Sequence, residues 1–164
     1  MSKSFIPSII TSVRIIIAPI FFISFLNQQF FLSLTVLIIA GLSDILDGYI
    51  ARQMDSTSNE GAYLDVIADF IFITACISAF VVKGWYNPLI ILLIIAMFTL
   101  FISTSNLEKP VYDPFGKYLG GFLFLMIYLT FLFPEMIIRE IMLILLILIS
   151  IFSVFFRLKY IHEN

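Results

Sequence analysis

Asp44-Ile45-Leu46-Asp47-Gly48-Tyr49-Ile50-Ala51-Arg52, followed after eight residues by Gly61-Ala62-Tyr63-Leu64-Asp65-Val66-Ile67-Ala68-Asp69, places four carboxylates in a chain built otherwise of Ile, Leu and Phe. On a helix, Asp44, Asp47, Gly48 and Ala51 fall at i, i+3, i+4 and i+7, which is one face. Gly61, Asp65 and Asp69 fall at i, i+4 and i+8, again one face. The residues between, 53–60, are polar and few, so they predict two antiparallel neighbouring helices whose Asp pairs converge.

Carboxylates in apolar helices are costly unless compensated. Arg52 is the only base inside the stretch. Four facing acids repel one another and take up protons unless cations bind. Hard divalent ions with oxygen ligands meet that need, and four charges suit two Mg²⁺ or Mn²⁺ ions. Gly48, Ala51 and Gly61 then clear space for a bulky ligand beside the ions. A single Asp pair is equally consistent with a helix contact or a proton relay; the whole set at this spacing points to function.

These residues resemble the signature of the CDP-alcohol phosphatidyltransferases, D-x2-D-G-x2-A-R-x8-G-x3-D-x3-D, and every specified position is met. The resemblance implies an all-α integral membrane enzyme with six transmembrane helices, usually a homodimer, with a di-metal site facing the cytoplasm. It implies transfer of a phosphatidyl group from a CDP-linked lipid to a small alcohol, with release of CMP, in phospholipid biosynthesis. Asp44, Asp47, Asp65 and Asp69 match the metal ligands, and Asp69 also matches the base. Gly48, Ala51, Arg52 and Gly61 match positions at the CDP moiety. The base role comes from the resemblance alone, because a carboxylate beside two cations is intrinsically a weak base.

The composition agrees with a membrane protein. The 164 residues are 62% hydrophobic and 12% charged, which excludes an ordinary soluble or disordered chain. Nine Lys and Arg against eleven Asp and Glu give no nucleic-acid signature. The single cysteine, Cys76, excludes an internal disulfide and reads as a packing residue. Hydrophobic runs predict spans at 9–26 (with 5–11 along the interface), 30–53, 60–82, 89–103, 117–133 and 138–158, with 160–164 as a polar tail. The whole chain, 1–164, reads as one membrane domain. Arg14 and Pro19 interrupt the first run, which therefore reads as a span and not as a cleaved leader. An even span number puts Lys3, Arg14, Arg52, Lys109, Lys117, Arg157 and Lys159 on one side and Lys83 and Arg139 on the other. The excess of positive charge assigns the first side, with both termini and the acids, to the cytoplasm, and the chain to the cytoplasmic membrane as a multi-pass protein.

Residues 7–14, Pro-Ser-Ile-Ile-Thr-Ser-Val-Arg, resemble the P-N-x-x-T-x-x-R segment of phosphatidylglycerophosphate and cardiolipin synthases, with Ser8 in place of Asn. Arg14 sits inside the first span, where either the acid cluster or a phosphate would partner it. Arg14, Lys117 and Arg157 are the candidates for binding an acceptor phosphate, such as that of glycerol 3-phosphate or another polyol phosphate. Phe70, where those synthases commonly carry Lys, keeps an unphosphorylated acceptor open. The rival class is a non-enzymatic carrier of divalent cations. Small residues on the third span, Gly61, Ala68, Ala75 and Ala79, with Gly120 and Gly121 on the fifth, predict close helix packing within the chain or between subunits.

Overall fold

The computed structural model describes residues 5–53, 59–104 and 116–163, and side chains at 12–43, 46, 65–103 and 118–159. The described residues form six α-helices: α1 (Phe5–Leu26), α2 (Phe30–Gln53), α3 (Asn59–Val82), α4 (Leu89–Thr104), α5 (Gly116–Leu132) and α6 (Met136–Glu163). Two of them contain stretches long and apolar enough to cross a membrane, Asp65–Val82 in α3 and Met136–Lys159 in α6. The chain divides into two compact units, Met1–Gly84 and Trp85–Asn164.

In the first unit, α1 packs against both α2 and α3. The turn from α1 to α2 is set by backbone hydrogen bonding. Gln29 N–H donates to the Ser24 carbonyl at 2.9 Å and Gln28 N–H to the Phe25 carbonyl at 3.0 Å, a Schellman stop. Its left-handed position is taken by Gln28, with φ of 60°, where glycine is the usual occupant. The Ser24 and Ser33 hydroxyls, 2.9 Å apart, join α1 to α2 inside this turn. Deeper in, Phe21 meets Phe25, Phe72 and Phe80 with ring centroids 5.7, 6.2 and 6.2 Å away. Phe25 also meets Phe80 edge-on at 5.0 Å. These rings lock α1 to α3. Ala18 and Ala68 are fully buried, and such small side chains let helices approach closely. Ala79 is fully buried too, whereas Ala75 is half-buried.

Helix α3 stops at Gly84, whose φ of 73° favours a residue without a Cβ, and Gly84 N–H donates to the Val81 carbonyl.

The second unit opens with a helix cap: Asn87 Oδ1 accepts from Leu89 N–H at 3.0 Å, and Pro88 sits immediately before the first residue of α4. The Tyr86 and Thr130 hydroxyls pair at 2.7 Å, tying this segment to α5. Burial raises the Tyr86 phenol above its ordinary pKa, while the Thr130 hydrogen bond and the Arg139 charge pull it back. At the start of α6, Arg139 donates to the Trp85 carbonyl at 3.2 Å and lies 5.6 Å from the Trp85 ring centre. Helix α5 packs on α6, with Met126, Ile127 and Leu146 buried.

Residues 5–11 are continuous with the rest of α1, and Pro7 falls in its first turn, where a missing N–H costs nothing. Residues 160–163, the polar stretch beyond the last expected span, continue α6 as helix, because no Gly or Pro ends it and its last turns carry Lys159 and His162, which favour a helix C-terminus. A Cβ added at Gly120 or Gly121 would meet no described atom within 4 Å, so these glycines do not serve a close helix approach within the described chain.

The aromatic lock predicts that Phe21→Ala destabilises the protein by about 3–5 kcal/mol. Phe31, 83% exposed, is the control, and Phe31→Ala is expected to be neutral. Thermal midpoints of the purified variants in one detergent check this; equal midpoints for the two would contradict the packing role of Phe21.

Candidate active site

The described part of the site is an ion triad joining α1 and α3. Arg14 is fully buried, and its guanidinium pairs with both Asp65 and Asp69, Nη2 donating to Asp65 Oδ1 and Nη1 to Asp69 Oδ1. The two acids sit one turn apart on α3, so their carboxylates line up along one face, and a planar guanidinium with two outward-facing N–H groups can serve both. A lysine, with a single point charge, could not span the pair in the same way.

Burial is unequal across the triad. Arg14 has no exposed side-chain surface, whereas Asp65 retains 38% and Asp69 24%. The cation is therefore on the protein side and the acids keep an open edge. Both ion pairs are made through Oδ1 of the acid. Two carboxylates against one guanidinium leave a net negative charge, and the donor set is all oxygen, which suits a hard divalent ion and not a soft one.

Asp44, Asp47, Gly48, Ala51 and Arg52 lie on α2, and Gly61 on α3, but their side chains lie outside the described residues, as does that of Lys117 on α5. The expected convergence of Asp44 and Asp47 on Asp65 and Asp69 falls in that region too. Sequence spacing placed Asp65 and Asp69 together, and the structure adds α1 to them through Arg14. Arg157 is also buried, at 4% exposure. Its guanidinium donates to the Leu100 carbonyl at 3.3 Å and lies 5.3 Å from the Phe101 ring centre. This seats a positive charge in the last turns of α4, where the helix dipole is negative. The caps at Asn87 and Gln28 and the Tyr86–Thr130 pair were not anticipated; Asn87-Pro88 was a readable cap signal, the other two were not.

A chain of apolar helices with Asp65 and Asp69 on one face of α3 falls in a class that comparison with known proteins identifies. The model of the CDP-alcohol phosphatidyltransferase family matches residues 4–155, and the chain belongs to that family. It is 30% identical over 130 residues to the CDP-diacylglycerol--glycerol-3-phosphate 3-phosphatidyltransferase of Aquifex aeolicus, covering 77% of this chain and 73% of the relative. Similarity to the protein of the same name in Haemophilus influenzae is 37% over 75 residues, 44% of this chain and 40% of the relative. The human cardiolipin synthase (CMP-forming) is 39% identical over 70 residues, 42% of this chain and 23% of that protein. The protein is thus an enzyme of the phosphatidyltransferase class, acting on a CDP-linked lipid and an alcohol, and the cation-carrier alternative falls away.

The triad predicts coupled behaviour. Asp65→Asn or Asp69→Asn alone leaves Arg14 one partner. Removing both leaves a buried guanidinium without its two acids, and breaking a buried pair costs about 3–5 kcal/mol. The double variant is therefore expected to lose more stability than the sum of the singles. A double-mutant cycle in thermal or denaturant unfolding checks this, and strict additivity would show that Arg14 does not share itself between the two acids.

Proposed function

We propose that this protein transfers the phosphatidyl group of CDP-diacylglycerol to glycerol 3-phosphate and releases CMP. The observation that carries this is the family match over residues 4–155, a span that holds all eight signature positions and Arg14. The names of the Aquifex and Haemophilus relatives supply the donor and the acceptor.

Asp44, Asp47, Asp65 and Asp69 would hold two Mg²⁺ or Mn²⁺ ions, which the all-oxygen, net-negative arrangement of the described pair fits. Bound there, such ions neutralise a pyrophosphate and stabilise its leaving group. The residues of the chain do the rest. An acceptor hydroxyl oxygen forms a bond to the lipid-bearing phosphorus, the bond from that phosphorus to the CMP oxygen breaks, and CMP leaves with the electron pair. Asp69 takes the hydroxyl proton. Gly48, Ala51 and Gly61 leave room for the cytidine nucleotide, with Arg52 beside its phosphates. Lys117 is proposed for the phosphate of the acceptor, and Arg157 would have to leave the Leu100 carbonyl to share that role. Arg14, seated on Asp65 and Asp69, is withdrawn from the acceptor role.

In the same proposal all six helices span the cytoplasmic membrane as one domain, with both termini and the acids on the cytoplasmic side, and the enzyme works as a homodimer. Phe31, Ile23, Ile144 and Phe155 stand among many large apolar side chains that are mostly exposed, more than a water-soluble surface tolerates. Arg139 and Arg157 are 18 residues apart on α6, about 27 Å along a helix, close to the thickness of a hydrocarbon core of about 30 Å.

Purified protein, CDP-diacylglycerol and a panel of glycerol 3-phosphate, inositol phosphate, glycerol and inositol test the reaction. CMP release with glycerol 3-phosphate and formation of phosphatidylglycerophosphate are expected, and both are lost by orders of magnitude in Asp69→Asn. Preference for an unphosphorylated alcohol would overturn the acceptor. For topology, reporter tags at Met1 and Asn164 are expected in the cytoplasm and a tag at residues 85–87 on the far side; termini on opposite faces would refute the six-span arrangement.

A further inference from the structure

Arg14 belongs to no position of the eight-residue signature, yet it bonds to both Asp65 and Asp69. We propose that Arg14 is a positioning residue for divalent-ion capture: from the buried side of α3 it holds both carboxylates aligned, so that their open edges present oxygens to an ion. The inference rests on the divalent-ion role proposed above for Asp65 and Asp69.

Three observations favour this over a guanidinium that merely stands in for an ion and leaves when one arrives. First, Arg14 is fully buried while both acids keep exposed surface, so the cation and the solvent approach the carboxylates from different sides. A stand-in would occupy the open side. Second, the guanidinium is fixed within the α1–α3 contact. Ala18, one turn further along α1, and Ala68, beside Asp69 on α3, are fully buried, and the rings of Phe21 and Phe72 pack at 6.2 Å along the same two helices. Movement of Arg14 away from the acids would require that contact to open. Third, two bonds to two different acids fix the spacing of the carboxylates, which one bond to either would not. Groups that hydrogen-bond to metal-ligating side chains orient them, and losing one typically weakens metal binding about 10- to 100-fold.

Charge alone predicts the opposite sign. A fixed positive charge close to a cation site lowers cation affinity, and its removal would tighten binding. The sign of the change therefore separates alignment from repulsion.

The test is Mn²⁺ binding to the full-length protein in lipid nanodiscs, followed by the loss of the free-ion electron paramagnetic resonance signal and needing no substrate. Wild type is expected to bind Mn²⁺ and Asp65→Asn to lose most of it. Arg14→Met is expected to bind about 10- to 100-fold more weakly. Arg14→Lys is expected to fall between, because a point charge on a shorter reach holds one acid well and the other poorly. Thermal midpoints without Mn²⁺ accompany each isotherm, and if Arg14→Met does not fold, the Arg14→Lys isotherm decides. Unchanged or tighter Mn²⁺ binding in the folded Arg14 variant overturns the positioning role while leaving the ion site intact. No Mn²⁺ binding by wild type, or binding indifferent to Asp65→Asn, removes the ion site and the inference with it.

Discussion

A guanidinium without any exposed surface, on a helix whose neighbours are Ile, Ala and Phe, must be neutralised where it sits, and Arg14 is neutralised by Asp65 and Asp69. This requirement orders the first unit. It fixes the rotation of α1 about its own axis, because Arg14 must face α3. It fixes the rotation of α3, because both acids must face α1. The Phe21, Phe25, Phe72 and Phe80 cluster then packs along the same contact and the Ser24–Ser33 pair closes the turn to α2. The apolar packing supplies most of the adhesion, and the ion triad supplies the register.

The second unit handles its charges differently. Arg139 and Arg157, near opposite ends of the apolar part of α6, each sit on a backbone carbonyl and an aromatic ring: Trp85 for one, Leu100 and Phe101 for the other. A backbone carbonyl has a second lone pair to offer a guanidinium, as Leu100 does while accepting from the Ser103 hydroxyl, and a ring face attracts a cation. They hold α6 against the Trp85 segment at one end and against α4 at the other.

Much of the fold was legible in the sequence because apolar runs end at residues with plain local physics. The bounds of α2 follow from Gln29 and the polar residues after Gln53, and those of α4 from Asn87-Pro88. Polarity at 160–163 marks the end of the apolar span and carries no information on where helix α6 ends, since nothing there breaks a helix. The acid face was legible as spacing along α3. Its partner was not: Arg14 had two candidate partners, an acid and a phosphate, and only packing of α1 on α3 selects between them. Arg157 shows the same limit, since its place against Leu100 and Phe101 depends on which helix α6 meets, and periodicity within one helix carries no such information.

The separation of Arg14 from its acids along the chain also bears on how the protein is made. Asp65 and Asp69 follow Arg14 by 51 and 55 residues. At roughly 5–20 residues per second, a ribosome reaches them about 3–11 s after Arg14 is made. During that interval, in the membrane arrangement proposed above, α1 carries an unneutralised charge whose cost at a helix centre is about 2.5–3.5 kcal/mol on insertion scales. The long apolar stretch from Ile15 to Leu26 offsets that cost while α1 waits, and α3 releases it on arrival. The site is thus completed by a helix that is synthesised late, and nascent chains ending before Asp65 carry an arginine with neither acid to receive it.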